Sequence, residues 1–244
     1  MLNLLSPECG KWQALLERIE RNSLCLYRSF GSGDDTTMRP QPRHRNAWRL
    51  WPLLLLGLAG PVGGHAAPQP LPADVQRLLA WVQQRHDNTS MPFAMVDKPR
   101  ARIYVFDADG RLQGDAPVLL GAARGDDSVP GIGDRPMSQI RPEERTTPAG
   151  RFIAEPGVNA KGEDIVWVDY DAAVSMHRVR TANKAEQRLR RLATPTTSDN
   201  RISYGCINLP AAFYDRFVAS TLGRHKSVVY VLPDQRPLQQ VFGM

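Results

Sequence analysis

The chain has 244 residues, of which 42% are hydrophobic and 23% charged, a balance that permits a packed core and excludes global disorder. Its net charge of +6 is unevenly spread: residues 38–66 hold Arg39, Arg43, Arg45 and Arg49 and no acid, whereas residues 67–244 carry 23 Lys+Arg against 20 Asp+Glu. A mildly basic folded region suits an anionic polymer surface and carries no nucleic-acid signature.

The apolar run Leu50-Trp51-Pro52-Leu53-Leu54-Leu55-Leu56-Gly57-Leu58-Ala59-Gly60 is short and broken for a membrane span of ~20 residues. It follows the arginines and precedes Gly64-His65-Ala66-Ala67, the order of a secretory signal peptide over residues 38–66, cut after Ala66. An uncleaved inner-membrane anchor is the alternative; either way the folded region is expected to be exported to the periplasm. Met38 stands where such a signal starts, so residues 1–37 read as an upstream extension of doubtful translation, with a short cytoplasmic tail as the alternative. Cys9 and Cys25 precede the signal. The exported region then keeps a single thiol, Cys206, with no partner for an internal disulfide. That thiol is either a small buried apolar residue or a working nucleophile.

Residues 67–91 are expected to form an N-terminal helix and linker, since Val75, Leu78, Leu79 and Val82 follow helical spacing over 72–86. Strands are expected at 93–96 and 102–106. Asp107-Ala108-Asp109-Gly110 then reads as a hairpin turn, with 117–121 as the partner strand. A calcium loop is excluded there because Gly110 comes two residues too early. Residues 125–145 form a long loop in which Gly131-Ile132-Gly133 lacks the third glycine of a dinucleotide fingerprint. Further strands are expected at 152–154, 165–168 and 172–176. A polar helix at 183–192 carries an Asn183/Glu186 capping box, a second helix spans 210–222, and a last buried strand spans 227–232.

The informative segment is Ser203-Tyr204-Gly205-Cys206-Ile207-Asn208-Leu209-Pro210. Gly205 permits close backbone approach, and a helix opening at Pro210 would favour a thiolate at Cys206 through its dipole. Free backbone N–H groups at such a turn could stabilise an oxyanion. A thiol nucleophile needs a base that also protonates a leaving amine, and histidine does both. His86 and His225 fall at polar surface positions, whereas His177 ends a strand. Paired Cys/His spacing for zinc is missing, and no Gly-x-Ser-x-Gly or phosphate loop competes.

Three pieces, in order, give the chain its resemblance to the L,D-transpeptidase (YkuD-type) family: Thr147-Pro148-Ala149-Gly150-Arg151-Phe152, Met176-His177, and Ser203-Tyr204-Gly205-Cys206-Ile207-Asn208. The resemblance covers about residues 92–233, with 234–244 as a tail. It implies a mainly β, sandwich-like single domain with a few helices. It further implies acyl transfer on peptidoglycan stem peptides without metal or organic cofactor, by a chain acting as a monomer. Cys206 would form a thioester and His177 would act as base and acid. Backbone amides around Gly205 and Cys206 would hold the oxyanion, and Ser203 would orient the site. Tyr204 and Asn208 would lie toward the substrate, Asn208 touching it or supporting the loop.

Departures from the family pattern are Tyr204 in place of a histidine, Arg178 in place of a small residue, and a separation of 29 positions from His177 to Cys206. The extra length is the 183–192 segment, either a solvated surface helix or a wall beside the groove whose Arg188, Arg190 and Arg191 attract stem-peptide carboxylates. Three functions compete: a crosslinking transpeptidase, a hydrolase on the same scaffold (carboxypeptidase, or amidase releasing a wall-attached protein), and a non-catalytic wall-binding protein. A wall-attached protein is also a candidate acceptor for the transferase.

Overall fold

The computed structural model describes residues 70–244; the expected leader, the upstream extension, Cys9 and Cys25 lie outside the described residues. The chain order is α1 (Ala73–Arg85), β1 (Phe93–Asp97), β2 (Arg102–Phe106), β3 (Leu112–Pro117), β4 (Leu120–Gly121), β5 (Gly150–Val158), β6 (Asp164–Asp169) and β7 (Val174–Arg178). Then follow α2 (Arg188–Ala193), β8 (Arg201–Ser203), β9 (Ile207–Leu209), α3 (Ala211–Phe213, continuing in π-helical turns over Tyr214–Leu222), β10 (Ser227–Val231) and α4 (Leu238–Phe242).

The mainly β expectation is met by one large mixed sheet, in the order β3-β2-β1-β10-β5-β6-β7-β9, with β4 and β8 forming a small parallel pair. Its two ends nearly meet. The chain leaving β3 reaches Leu119, which exchanges both backbone hydrogen bonds with Asn208 of β9, each 2.9 Å. The sheet is therefore a barrel short of full closure, and the layers of the expected sandwich are opposite walls of one curled sheet.

Side-chain alternation divides the interior. Ala94 and Val96 of β1, Ile103 and Val105 of β2 and Val229 and Val231 of β10 face a core shared with Val166, Met176, Ile207 and Leu209. Helix α3 plugs that core with Tyr214, Val218 and Leu222. The intervening residues Phe93, Met95, Tyr104, Phe106, Val228 and Tyr230 point the other way, onto Val75, Leu78 and Val82 of α1 and Leu238 and Phe242 of α4. Strands covered on both faces read as continuous apolar runs, which is why β1 and β10 are buried at every position.

Four expectations about elements are corrected. The hairpin turn is as expected, with Asp107 accepting the Asp109 and Arg111 backbone N–H groups, but β2 pairs with Leu112–Pro117. This is a polar edge strand without an apolar stripe, and the apolar run after it joins the core near β8 and β9 instead. His177 lies inside β7, which runs to Arg178. The 183–192 segment is not one helix: Gln187 adopts a left-handed φ of 48° and divides a short 3-10 turn from α2. There Asn183 caps the Ala185 N–H while Glu186 turns to Arg188, so the reciprocal half of a capping box is missing.

A buried ionic knot ties the long loop and the C-terminal tail to the sheet. Lys98, with no solvent exposure, donates from Nζ to Gly125 O (2.5 Å), Asp126 Oδ1 (2.9 Å) and Thr147 O (2.9 Å). Asp126 also accepts the backbone N–H groups of Asp234, Gln235 and Arg236, and Arg201 pairs with Asp234 at 2.6 Å. Burial pushes the Asp126 carboxyl up, but the Arg236 and Asp234 N–H groups and the Lys98 ammonium outweigh it and hold it at about 2. Lys98→Met would leave two buried carboxylates short of a cation and should cost about 3–5 kcal/mol of unfolding free energy in urea titration. A depressed carboxyl contributes stability above its ordinary value of 3.8 and loses it as pH falls through about 2. The melting temperature should accordingly fall between about pH 4 and about pH 2, and Asp126→Asn should flatten that acid limb.

Candidate active site

β7 and β9 run parallel, with Met176 opposite Ile207 and His177 opposite Asn208. Cys206, the residue before β9, therefore lies beside Ser175. Val174 and Met176 face the core, so Ser175 and His177 share the outer face, toward the thiol. The half-buried Cys206 sulfur lies 3.7 Å from Ser175 Oγ and 3.6 Å from Ala173 O. His177 Nδ1 is 2.8 Å from Arg178 O. A carbonyl only accepts, so Nδ1 carries the hydrogen and Nε2 is left to hydrogen-bond with the thiol. Burial pushes the Cys206 thiol up, but the His177 hydrogen bond and charge, and then Ser175 backbone and side chain, bring it down to about 7. The arrangement can place a thiolate beside His177 near neutral pH.

The expected helix contribution is corrected. All of β9 separates Cys206 from α3, which begins at Ala211, and a helix dipole fades within its first turn. The side chains of β7 lower the thiol instead.

The turn that carries Cys206 is held from three sides. Gly205 has φ 136°, and a Cβ there would come within 2.8 Å of Thr146 O, so only glycine fits. Thr147 Oγ1 donates to Gly205 O (2.8 Å) and accepts from the Gly121 N–H (2.9 Å). The Thr-Pro-x-Gly-x-Phe segment thus supplies the strut under the turn. Ser203 Oγ donates to Cys206 O (2.6 Å) and accepts from the Gly205 N–H (3.1 Å). That amide is already occupied, which removes it from the expected oxyanion donors and leaves the Cys206 amide as the candidate.

Asn208 is buried. Its Nδ2 donates to Cys206 O (3.1 Å) and its Oδ1 accepts from Arg188 (2.6 Å), so its role is to support the loop. Of the three arginines of the insert, Arg188 is engaged with Asn208 and Glu186, and Arg191 donates to Glu186 O and Asp199 O. Arg190 is exposed, reaching only Gln187. The structure therefore fastens the insert to the Cys206 loop through Arg188. Tyr204 is half-buried beneath the Arg145 guanidinium, 4.0 Å from its ring centre. Arg178, the unusual neighbour of His177, is drawn off to Asp164 and Asp215, both at 2.7 Å. A hollow on the His177 side is lined by Asn159, Glu163, Asp164, Arg180 and Ala211. Among the described residues, no cluster of three or more His, Cys, Asp or Glu could hold a metal, and no helix is long and apolar enough to cross a membrane.

Sequence reasoning missed Ser175, Lys98 and the role of Thr147. A serine in a strand and a lysine beside Pro99 carry no mark of their partners; Thr147 was visible only within a motif.

No family model matches the chain, and no curated protein does. Among solved structures it is similar to the helical cell shape determining protein Pgp2 from Campylobacter jejuni, with TM-score 0.39 and 14% identity, covering 60% of this chain and 49% of that one. It is also similar to L,D-transpeptidases from Xylanimonas cellulosilytica (TM-score 0.35, 14% identity, 58% and 60% covered) and Enterococcus faecium (TM-score 0.32, 17% identity, 58% and 50% covered). The chain spans about half to three-fifths of the length of these structures. Its structural neighbours are thus mainly L,D-transpeptidases, and at these scores the likeness carries no argument about chemistry.

If Arg188 acts through Asn208, Arg188→Ala and Asn208→Ala should be non-additive by about 0.5–3 kcal/mol in a double-mutant cycle read by urea unfolding. Additive losses would place the work of Arg188 elsewhere.

Proposed function

We propose that the chain is a cysteine acyl-transferase acting on peptidoglycan stem peptides, an L,D-transpeptidase in its chemistry. The observation that carries this reading is the placement of the Cys206 thiol 3.7 Å from Ser175 Oγ and beside a histidine whose Nδ1 is anchored on Arg178 O. The three sequence pieces that resemble the family converge there, with Thr147 under the turn, His177 beside the thiol and Ser203 behind it.

The thiolate attacks the carbonyl of the residue preceding a terminal D-alanine. The developing oxyanion is met by the Cys206 amide, and the tetrahedral adduct collapses as His177 Nε2 gives its proton to the departing D-alanine amine. A thioester remains. His177, again neutral, takes the proton of an incoming amine as that amine attacks the thioester carbonyl, and the thiolate is expelled. Water in place of the amine gives hydrolysis with the same residues, and a wall-attached protein supplying the amine gives protein anchoring. Such a substrate fits export to the periplasm, the localisation proposed from the leader. The protein is proposed to act as a monomer, since His177 and Cys206 meet within one chain.

Incubating the protein with purified stem tetrapeptides and reading product masses tests this. Loss of D-alanine with formation of a crosslinked dimer is expected, and Cys206→Ala should abolish it while leaving the fold intact. Release of D-alanine without a dimer would make the protein a hydrolase. An unchanged tetrapeptide, with the thiol still alkylatable, would sink the substrate assignment.

A further inference from the structure

Ser175 sits in the middle of β7 between two core residues, Val174 and Met176, and is only 5% exposed. A buried hydroxyl is costly without a hydrogen-bond partner. The contact its Oγ makes among the described residues is with the Cys206 sulfur, at 3.7 Å. The β7–β9 register fixes this placement, so it does not depend on a mobile loop.

We propose that Ser175 is a further catalytic residue, donating its hydroxyl hydrogen to the Cys206 sulfur in the thiolate form and so setting the resting charge of the nucleophile. This deepens the reading of Cys206 as nucleophile and rests on it. The sulfur has two sets of neighbours. In the neutral form its S–H donates to Ala173 O, at 3.6 Å. Loss of that proton leaves the carbonyl facing an anion, which disfavours the thiolate unless donors compensate. A hydroxyl can donate to or accept from a thiol, but toward a thiolate it only donates. Ser175 and His177 are those donors, two positions apart on one face of one strand. His177 is the titratable group that touches the sulfur. The nearby cations act at one remove, Arg188 on Asn208 and Arg145 on the Tyr204 ring.

The consequence runs through the reaction. As the thiolate attacks, its charge moves to the carbonyl oxygen and the Ser175 bond weakens. As the thioester breaks down, the charge returns to sulfur and the bond is restored. A thiol of lower pKa leaves faster, and its thiolate is intrinsically less nucleophilic. Removing the donor therefore has a signature that general damage to the site lacks: the fraction of thiolate falls at low pH, while the rate at high pH holds or rises.

The test is iodoacetamide alkylation of Cys206 against pH, followed by mass spectrometry of the Cys206 peptide, for Ser175→Ala and for the isosteric pair Ser175→Thr and Ser175→Val. Ser175→Ala and Ser175→Val should raise the midpoint by about one pH unit and slow alkylation about tenfold at low pH, with no loss at the high-pH plateau. Ser175→Thr should stay near the parent. Thermal melts report folding; should Ser175→Ala not fold, the Thr/Val pair, both β-branched and suited to a strand, makes the same comparison. An unmoved midpoint, or an equal loss of rate at every pH, overturns the role. The assay needs no peptide, so stem-peptide turnover with an unmoved midpoint defeats only the role of Ser175. A shifted midpoint without turnover defeats only the substrate assignment.

Discussion

The ammonium of Lys98 is where the long loop, the C-terminal tail and the turn before Cys206 are joined. It bonds Gly125 O at the loop's start and Thr147 O near its end, while its carboxylate partner Asp126 collects three amides of the tail. From Thr147 the path is one residue long, because the same threonine offers its hydroxyl to Gly205 O. A buried ammonium is tolerated only when its hydrogens are all directed and its charge is balanced, so these oxygens have little freedom. The residues carrying them inherit that restriction, and Cys206 stands immediately after Gly205.

On this fixed support the thiol is set by a contest of small terms. Burial and the Ala173 carbonyl favour the proton, and His177 and Ser175 oppose it. Arg178 would repel an imidazolium if it lay free beside His177. Asp164 and Asp215 hold it aside, with its plane 4.3 Å from the Tyr214 ring centre. The charge of Arg178 is thereby absorbed by two carboxylates from β6 and α3.

Cys206 and His177 were legible because their chemistry is rare: a single thiol in residues 67–244, and a single histidine in an apolar strand. The sheet was legible wherever strands are buried on both faces, as in β1, β2 and β10, or sharply bounded by turns. What stayed hidden depends on distant partners. Lys98 beside Pro99 and Arg100 reads as an exposed turn, because its three acceptors lie about 30 to 50 residues away in sequence. The polar edge strand β3 lacks the alternation that marks a half-buried strand. The left-handed Gln187 that breaks the insert has no local signature, since a glycine would be the expected residue there. The helix dipole was invoked from proximity in sequence, but three residues of extended chain span about 10 Å, enough to remove it.

The parallel pairing of β7 with β9 bears on how such a site can vary. Antiparallel neighbours joined by a tight turn have a linker whose length fixes their register, but parallel neighbours need a crossover, whose length can vary. Residues 179–200 make up most of that crossover here. Lengthening a flexible connection adds little entropy cost, about 0.6 kcal/mol per doubling. Residues 179–200 could therefore be lengthened or reshaped while Ser175, His177 and Cys206 kept the same relative positions, with contacts such as Arg188–Asn208 and Asn200–Val118 as the points where new material would have to meet the old. The strand pairing that places the three side chains and the connection that joins the two strands are separable by construction.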